Sequence, residues 1–145
     1  MFKKIKWLKT DHEAGSASLR VVVEGAIIYF DPAFLTSFPE RGDADVICIS
    51  HWHDDHCDYK SFVKLMNEKT VFITNPAVES HIVKYVDECR VHSLKPGGEL
   101  SLGKFSINAV ASYEEESGVH NKEFGFTGFV VKSDEGTLYY SGDAE

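Results

Sequence analysis

An apolar run, Val46-Ile47-Cys48-Ile49, leads directly into Ser50-His51-Trp52-His53-Asp54-Asp55-His56-Cys57-Asp58. No other stretch constrains the fold as much. A short apolar run of this kind reads as a buried strand, so the polar cluster begins where a strand ends. From His51 to His56 the cluster holds three histidines and two aspartates. Imidazole and carboxylate are donors that zinc, manganese and iron accept. In an extended segment residues two apart point the same way, so His51 and His53 can share one ion. Asp55 and His56, past the bend, can aim at a second, and ions ~3.5–4 Å apart fit between two such sets. A polar surface loop holding no ion is the competing reading, disfavoured by so many donors directly after an apolar strand.

At 145 residues the chain is long enough for one domain, 1–145, with a real core. The net charge of -8, from 15 Lys+Arg against 23 Asp+Glu, argues against a non-specific polyanion binder, so no nucleic-acid partner is expected. Cys48, Cys57 and Cys89 lack a disulfide-scaffold spacing, and free thiols suit a cytoplasmic location. Cys48 reads as core. Cys57, next to His56, is a soft-ligand candidate, although a small buried side chain is the commoner role. The start, Met1-Phe2-Lys3-Lys4-Ile5-Lys6, does not read as a signal peptide, and no segment has the length of a membrane span.

Along the chain, strands are predicted at Phe2–Leu8, Leu19–Glu24 and Ala26–Phe30, the last two joined at Glu24-Gly25. Asp31-Pro32 ends that hairpin, because proline cannot continue a central strand. Ala33–Asp43 reads as a loop, and the strand Asp45–Ile49 delivers the cluster. Asp58 is a good cap for a helix whose apolar stripe is Tyr59, Phe62, Val63 and Met66. After a strand at Thr70–Thr74, Asn75-Pro76 opens a second helix with Val78, Ile82, Val83 and Val86 inward. Lys95-Pro96-Gly97-Gly98 reads as a turn, Phe105–Ala111 as a strand, and Gly125–Lys132 with Thr137–Ser141 as a hairpin. Strands alternating with helices define an α/β architecture.

The spacing His51-x-His53-x-Asp55-His56 resembles the HxHxDH signature of the metallo-β-lactamase superfamily. Four residues are fixed in type across six positions, which makes the likeness specific. Trp7-Leu8, Ser18-Leu19-Arg20, Tyr29-Phe30-Asp31-Pro32 and Leu94-Lys95-Pro96-Gly97-Gly98 are similar to a branch that contains ascorbate-6-phosphate-type lactonases and other metal-dependent hydrolases. Gly125-x-x-Gly128-Phe129-Val130-Val131 through Tyr140-Ser141-Gly142-Asp143 resembles the branch's later stretch. Two positions depart from the pattern. Ser16-Ala17-Ser18 stands where the branch often has His-Ala-Ser, removing a histidine behind the ligands, and Ala144 replaces a threonine.

The resemblance implies an αββα sandwich and a hydrolase whose divalent ions, zinc above manganese or iron, number one or two per chain. It implies that Asp143 bridges the two ions, where otherwise an aspartate in a turn after Gly142 would suffice. It implies a third histidine for the first ion. His120 is the candidate and Glu114 the substitute, in an acidic run that otherwise reads as a solvated loop. His51, His53 and His120 would then hold one ion, and Asp55 with His56 the other. Asp55 could also act in catalysis by orienting a water that attacks an ester, lactone or phosphoester of a small-molecule substrate. Asp54 and Asp58 are candidates for orienting imidazoles, with helix capping as the equal alternative. His12, His81 and His92 are isolated. A non-catalytic metal-binding module and an iron redox protein on the same fold are the alternatives. The superfamily's final histidine and second half have no counterpart after Asp143. The expectation is therefore a fold truncated there, completed by self-association or by a separate piece covering a bare apolar face.

Overall fold

The apolar runs assemble two sheets packed face to face. The computed structural model describes residues 2, 4–11, 17–114 and 118–143. The first sheet has six strands in sequence order: β1 (Ile5–Trp7), β2 (Leu19–Val23), β3 (Ala26–Phe30), β4 (Val46–Cys48), β5 (Val71–Thr74) and β6 (Val91–Ser93). β1 to β3 run antiparallel and β3 to β6 parallel. The change follows from the connections. Glu24 and Gly25 both take positive φ (49° and 86°), the backbone of a two-residue hairpin turn. Parallel neighbours instead need crossovers, provided by the long loop 31–45 between β3 and β4 and then by α1 (Tyr59–Leu65) and α2 (Pro76–Ile82). The second sheet is antiparallel, in the order β10 (Gly136–Tyr140), β9 (Thr127–Ser133), β8 (Phe105–Ala111), β7 (Glu99–Leu102).

β4 shows why its sequence is continuously apolar. Val46 and Cys48 join Val21, Ile28, Phe30 and Ile73 against Phe129, Val131 and Tyr140 of the other sheet. Ile47 and Ile49 face the opposite way, with Phe72, onto Phe62, Leu65, Val78 and Ile82 of the helical layer. A strand covered on both faces cannot alternate apolar and polar residues. Each fully buried Phe or Ile here contributes roughly 1.5–3 kcal/mol.

Several elements differ from the sequence expectation. The first strand is confined to Ile5–Trp7, and its side chains are exposed. Helix α1 turns Phe62 and Leu65 inward, whereas Tyr59 and Val63 are exposed. Asp58 caps the helix, accepting hydrogen bonds from Lys60 N and Phe34 N, and the Tyr59 ring stacks on Tyr85. In α2, Val78 and Ile82 are buried and Val83 is the exposed C-cap, while the buried Val86 lies in the turns beyond the helix. Gly125 is the left-handed cap of a short 3₁₀ turn, so β9 begins at Thr127. β6 and β7 are not legible in the sequence because three and four residues are too few to show a period.

The outer face of the second sheet is not broadly apolar. It carries Ser101, Ser106, Asn108, Lys132 and Thr137 beside Val110, Val130 and Tyr139, the residues that alternate with the inward ones. No helix of the described residues is long and apolar enough to cross a membrane.

Candidate metal centre

The cluster lies where β4 hands the chain to the loop preceding α1. His51 and His56 are buried, His53 and Asp55 are partly exposed, and His56 N donates to His53 O in a tight turn. The turn folds the cluster back on itself, bringing the His51 and His56 rings to 4.0 Å between centroids. His120 arrives from the loop before β9, with its ring 5.0 Å from His51 and 4.9 Å from His53. Asp143 arrives from the turn after β10. The structure thus gathers two donor sets, His51, His53 and His120 on one side and Asp55, His56 and Asp143 on the other, with the donor atoms of each set within 4.8 Å of one another.

Asp143 faces both sets. Its Oδ2 lies 3.4 Å from His51 Nε2 and 3.2 Å from His120 Nε2, and its Oδ1 lies 3.0 Å from His56 Nε2. The His51 and His56 imidazoles beside it hold its carboxyl far below the usual carboxylate range. Burial pushes the His56 imidazolium down, but hydrogen bonds to Asp143 and Asp31 prevail and raise its pKa to about 10. His53 is lowered, by burial first and then by its histidine neighbours.

The residues fit divalent cations. His51 Nε2 and both ring nitrogens of His120 are buried without a hydrogen-bond partner of acceptable geometry, despite the nearby carboxylate oxygens. Leaving such atoms unmade costs about 1–3 kcal/mol each, and a coordinated ion removes that cost. Four imidazoles around acceptor-only carboxylates also supply the lone pairs and negative charge that an ion needs.

Behind the donors sits Asp31, the residue that ends the β2–β3 hairpin. It is fully buried, and its carboxylate accepts from Ser50 N (2.7 Å), Ser50 Oγ (2.6 Å), His56 Nδ1 (2.7 Å) and the Tyr140 hydroxyl (2.8 Å). Ser50 has one hydroxyl proton and gives it to Asp31, so it accepts from Nδ1–H of His51 at 2.8 Å. Both imidazoles therefore keep their protons on Nδ1 and present Nε2 to the donor cluster. Asp31 also has φ +44°, a sparsely populated conformation for a residue with a side chain, of the kind that persists where the surroundings fix it. The signal in the sequence was an acidic residue at the end of a buried strand beside the cluster strand.

Other candidates fall elsewhere. Glu114 stands behind His120, its Oε1 3.3 Å from Nδ1, rather than in place of it. Asp58 contacts backbone and Ser61, so it caps α1 and orients no imidazole. Asp54 is exposed at the rim of a cavity it shares with Trp52, Cys57 and His81. The Cys57 side chain packs toward the helical layer and joins neither donor set, and burial pushes its thiol up to about 12. His81 stacks on Trp52, at 5.5 Å between rings, and His92 lies on β6. His12 and Ser16 lie outside the described residues.

This layout of two sheets with a histidine- and aspartate-rich loop at a strand end is that of the metallo-β-lactamase fold. The chain belongs to the beta-lactamase superfamily domain family, whose pattern matches residues 5–145. It is 28% identical to a UPF0173 metal-dependent hydrolase from Methanopyrus kandleri, over 97% of this chain and 61% of that protein. Among solved structures, one described as a metal-dependent hydrolase from Parabacteroides distasonis superposes with a TM-score of 0.75 at 26% identity, over 90% of this chain and 59% of that one. CmlA, a diiron beta-hydroxylase from Streptomyces venezuelae, shares the fold with a TM-score of 0.69 at 17% identity, over 90% of this chain and 28% of its own. The chain thus spans about three fifths of the length of the two hydrolase relatives.

Proposed function

We propose that this chain carries the centre of a binuclear metal-dependent hydrolase acting on an ester, lactone or phosphoester. The observation that carries this reading is the two-sided carboxylate of Asp143, with one oxygen toward His51 and His120 and the other toward His56. His51, His53 and His120 would hold one ion, Asp55 and His56 the other, with Asp143 between them. When bound, the ions supply Lewis acidity, which lowers the pKa of a water and offsets charge building on the substrate oxygen.

The protein's own contribution is placement. Asp31 and Ser50 keep the imidazole protons on the far side from the ions. Asp55, 3.5 Å from His56 Nε2 and more open than the histidine it neighbours, is suited to orient the attacking water. Imidazole with carboxylate suits zinc, manganese and iron alike, and zinc is the ion proposed here, with manganese and iron as alternatives. The substrate is a small molecule, and the reaction belongs to the cytoplasm, where Cys48, Cys57 and Cys89 stay free.

The test is metal analysis of purified protein by inductively coupled plasma mass spectrometry, followed by nitrophenyl ester, lactone and phosphodiester assays before and after chelation. His51→Ala and His53→Ala should lose metal and turnover together. Turnover that survives both substitutions would overturn the reading. Metal without turnover on any of the substrates points to a binding module, and iron with oxygen-dependent chemistry points to the redox alternative.

A further inference from the structure

We infer that Tyr140 is a positioning residue: its hydroxyl clamps the Asp31 carboxylate and so ties the histidine half of the centre to the strand that delivers Asp143. The inference deepens the hydrolase reading, but its first test needs no metal. Tyr140 is almost fully buried near the end of β10, three residues before Asp143. Its ring stacks on Phe30, the residue before Asp31, at 4.9 Å between centroids and 26° between planes. The hydroxyl lies 2.8 Å from Asp31 Oδ2 and 3.2 Å from Ala17 O.

A phenol has one proton, and Asp31 is the stronger acceptor of the two. That proton therefore goes to the carboxylate. Asp31 Oδ2 also receives Ser50 Oγ at 2.6 Å and His56 Nδ1 at 2.7 Å, so three donors from two elements converge on one oxygen. Ser50 and His56 both belong to the loop after β4. Tyr140 alone among the three comes from the second sheet, and it holds Asp31 across the inter-sheet core. Without its hydroxyl the carboxylate keeps its loop partners but loses the contact that fixes it relative to β10. The His56 Nε2 to Asp143 Oδ1 distance, 3.0 Å, is the gap this clamp governs.

The test uses Tyr140→Phe, which keeps the ring stack and removes one donor. In metal-free protein, nitrogen-15 NMR of the histidine rings should show an exchange-protected Nδ1–H for His56 that moves or broadens in the variant. Zinc titration by calorimetry should then show binding weakened roughly 10-fold or more, the range for losing a group that orients a ligand. Phe30→Leu is the packing control. It removes the stack and keeps the hydroxyl, so it should lower Tm and leave the His56 signal and zinc affinity close to wild type. If Tyr140→Phe does not fold, 3-fluorotyrosine at position 140 keeps the packing and strengthens the donor, and the His56 signal should shift. An unmoved His56 signal with unchanged zinc affinity in the altered protein overturns the inference, as does an equal effect of Phe30→Leu. If the His56 signal moves in Tyr140→Phe but wild-type protein takes no zinc, the clamp stands and the metal reading fails.

Discussion

The Nδ1 of His56 lies 2.7 Å from Oδ2 of Asp31, a residue 25 positions earlier at the end of a neighbouring strand. That one hydrogen bond fixes the tautomer of a candidate ligand from outside its own loop. Through Ser50 the same carboxylate reaches His51, so both donor sets depend on it.

Asp31→Asn keeps the size and places an amide donor among groups that need an acceptor. Metal affinity should fall about 10–100-fold, the range measured when groups behind metal ligands are changed. Zinc calorimetry checks this, and unchanged affinity would remove Asp31 from the account.

The pH dependence of the metal-free protein follows from His56. Its pKa is about 10 in the fold against an ordinary 6.5. A raised folded pKa stabilises the fold fully below about 6.5, and the contribution is lost as pH rises through about 10. Asp143, depressed in the fold, has the opposite sense, and its contribution is lost only in acid. Tm of chelated protein should therefore fall between pH 7 and pH 10, and His56→Gln should flatten that slope. A wild-type Tm constant over this window would contradict the assignment.

Gly142 has φ +62°, and a Cβ there would lie 2.9 Å from Ser50 Oγ and 3.0 Å from Ser50 Cβ. Gly142→Ala should strain the turn that carries Asp143 and displace Ser50, which holds His51. The expected result is metal binding weakened by an order of magnitude or more with the fold kept, read by circular dichroism beside zinc titration.

Asp58 separates capping from coordination. Its carboxylate accepts from Lys60 N, Phe34 N and Ser61 Oγ at the start of α1. Asp58→Ala should cost about 1–2 kcal/mol and lower Tm by a few degrees. Metal content should stay the same, and a loss of metal would return Asp58 to the centre.

What the sequence by itself determined was local. The two-sided burial of β4 was legible in its unbroken apolar run, and the α2 start in Asn75-Pro76. The donors His51, His53, Asp55 and His56 could be named because they sit within one turn of chain. His120 and Asp143 came only from the family likeness, since nothing in the spacing of distant residues tells which loops meet. Tertiary structure decided the rest. Which face of α1 is buried was settled by the packing of Phe62 and Leu65 on Ile47 and Phe72, a contact the helix's own apolar pattern does not name. The roles of Asp31, Ser50 and Tyr140 depend on three chain segments meeting at one buried oxygen, and that convergence exists only once the two sheets have closed on each other.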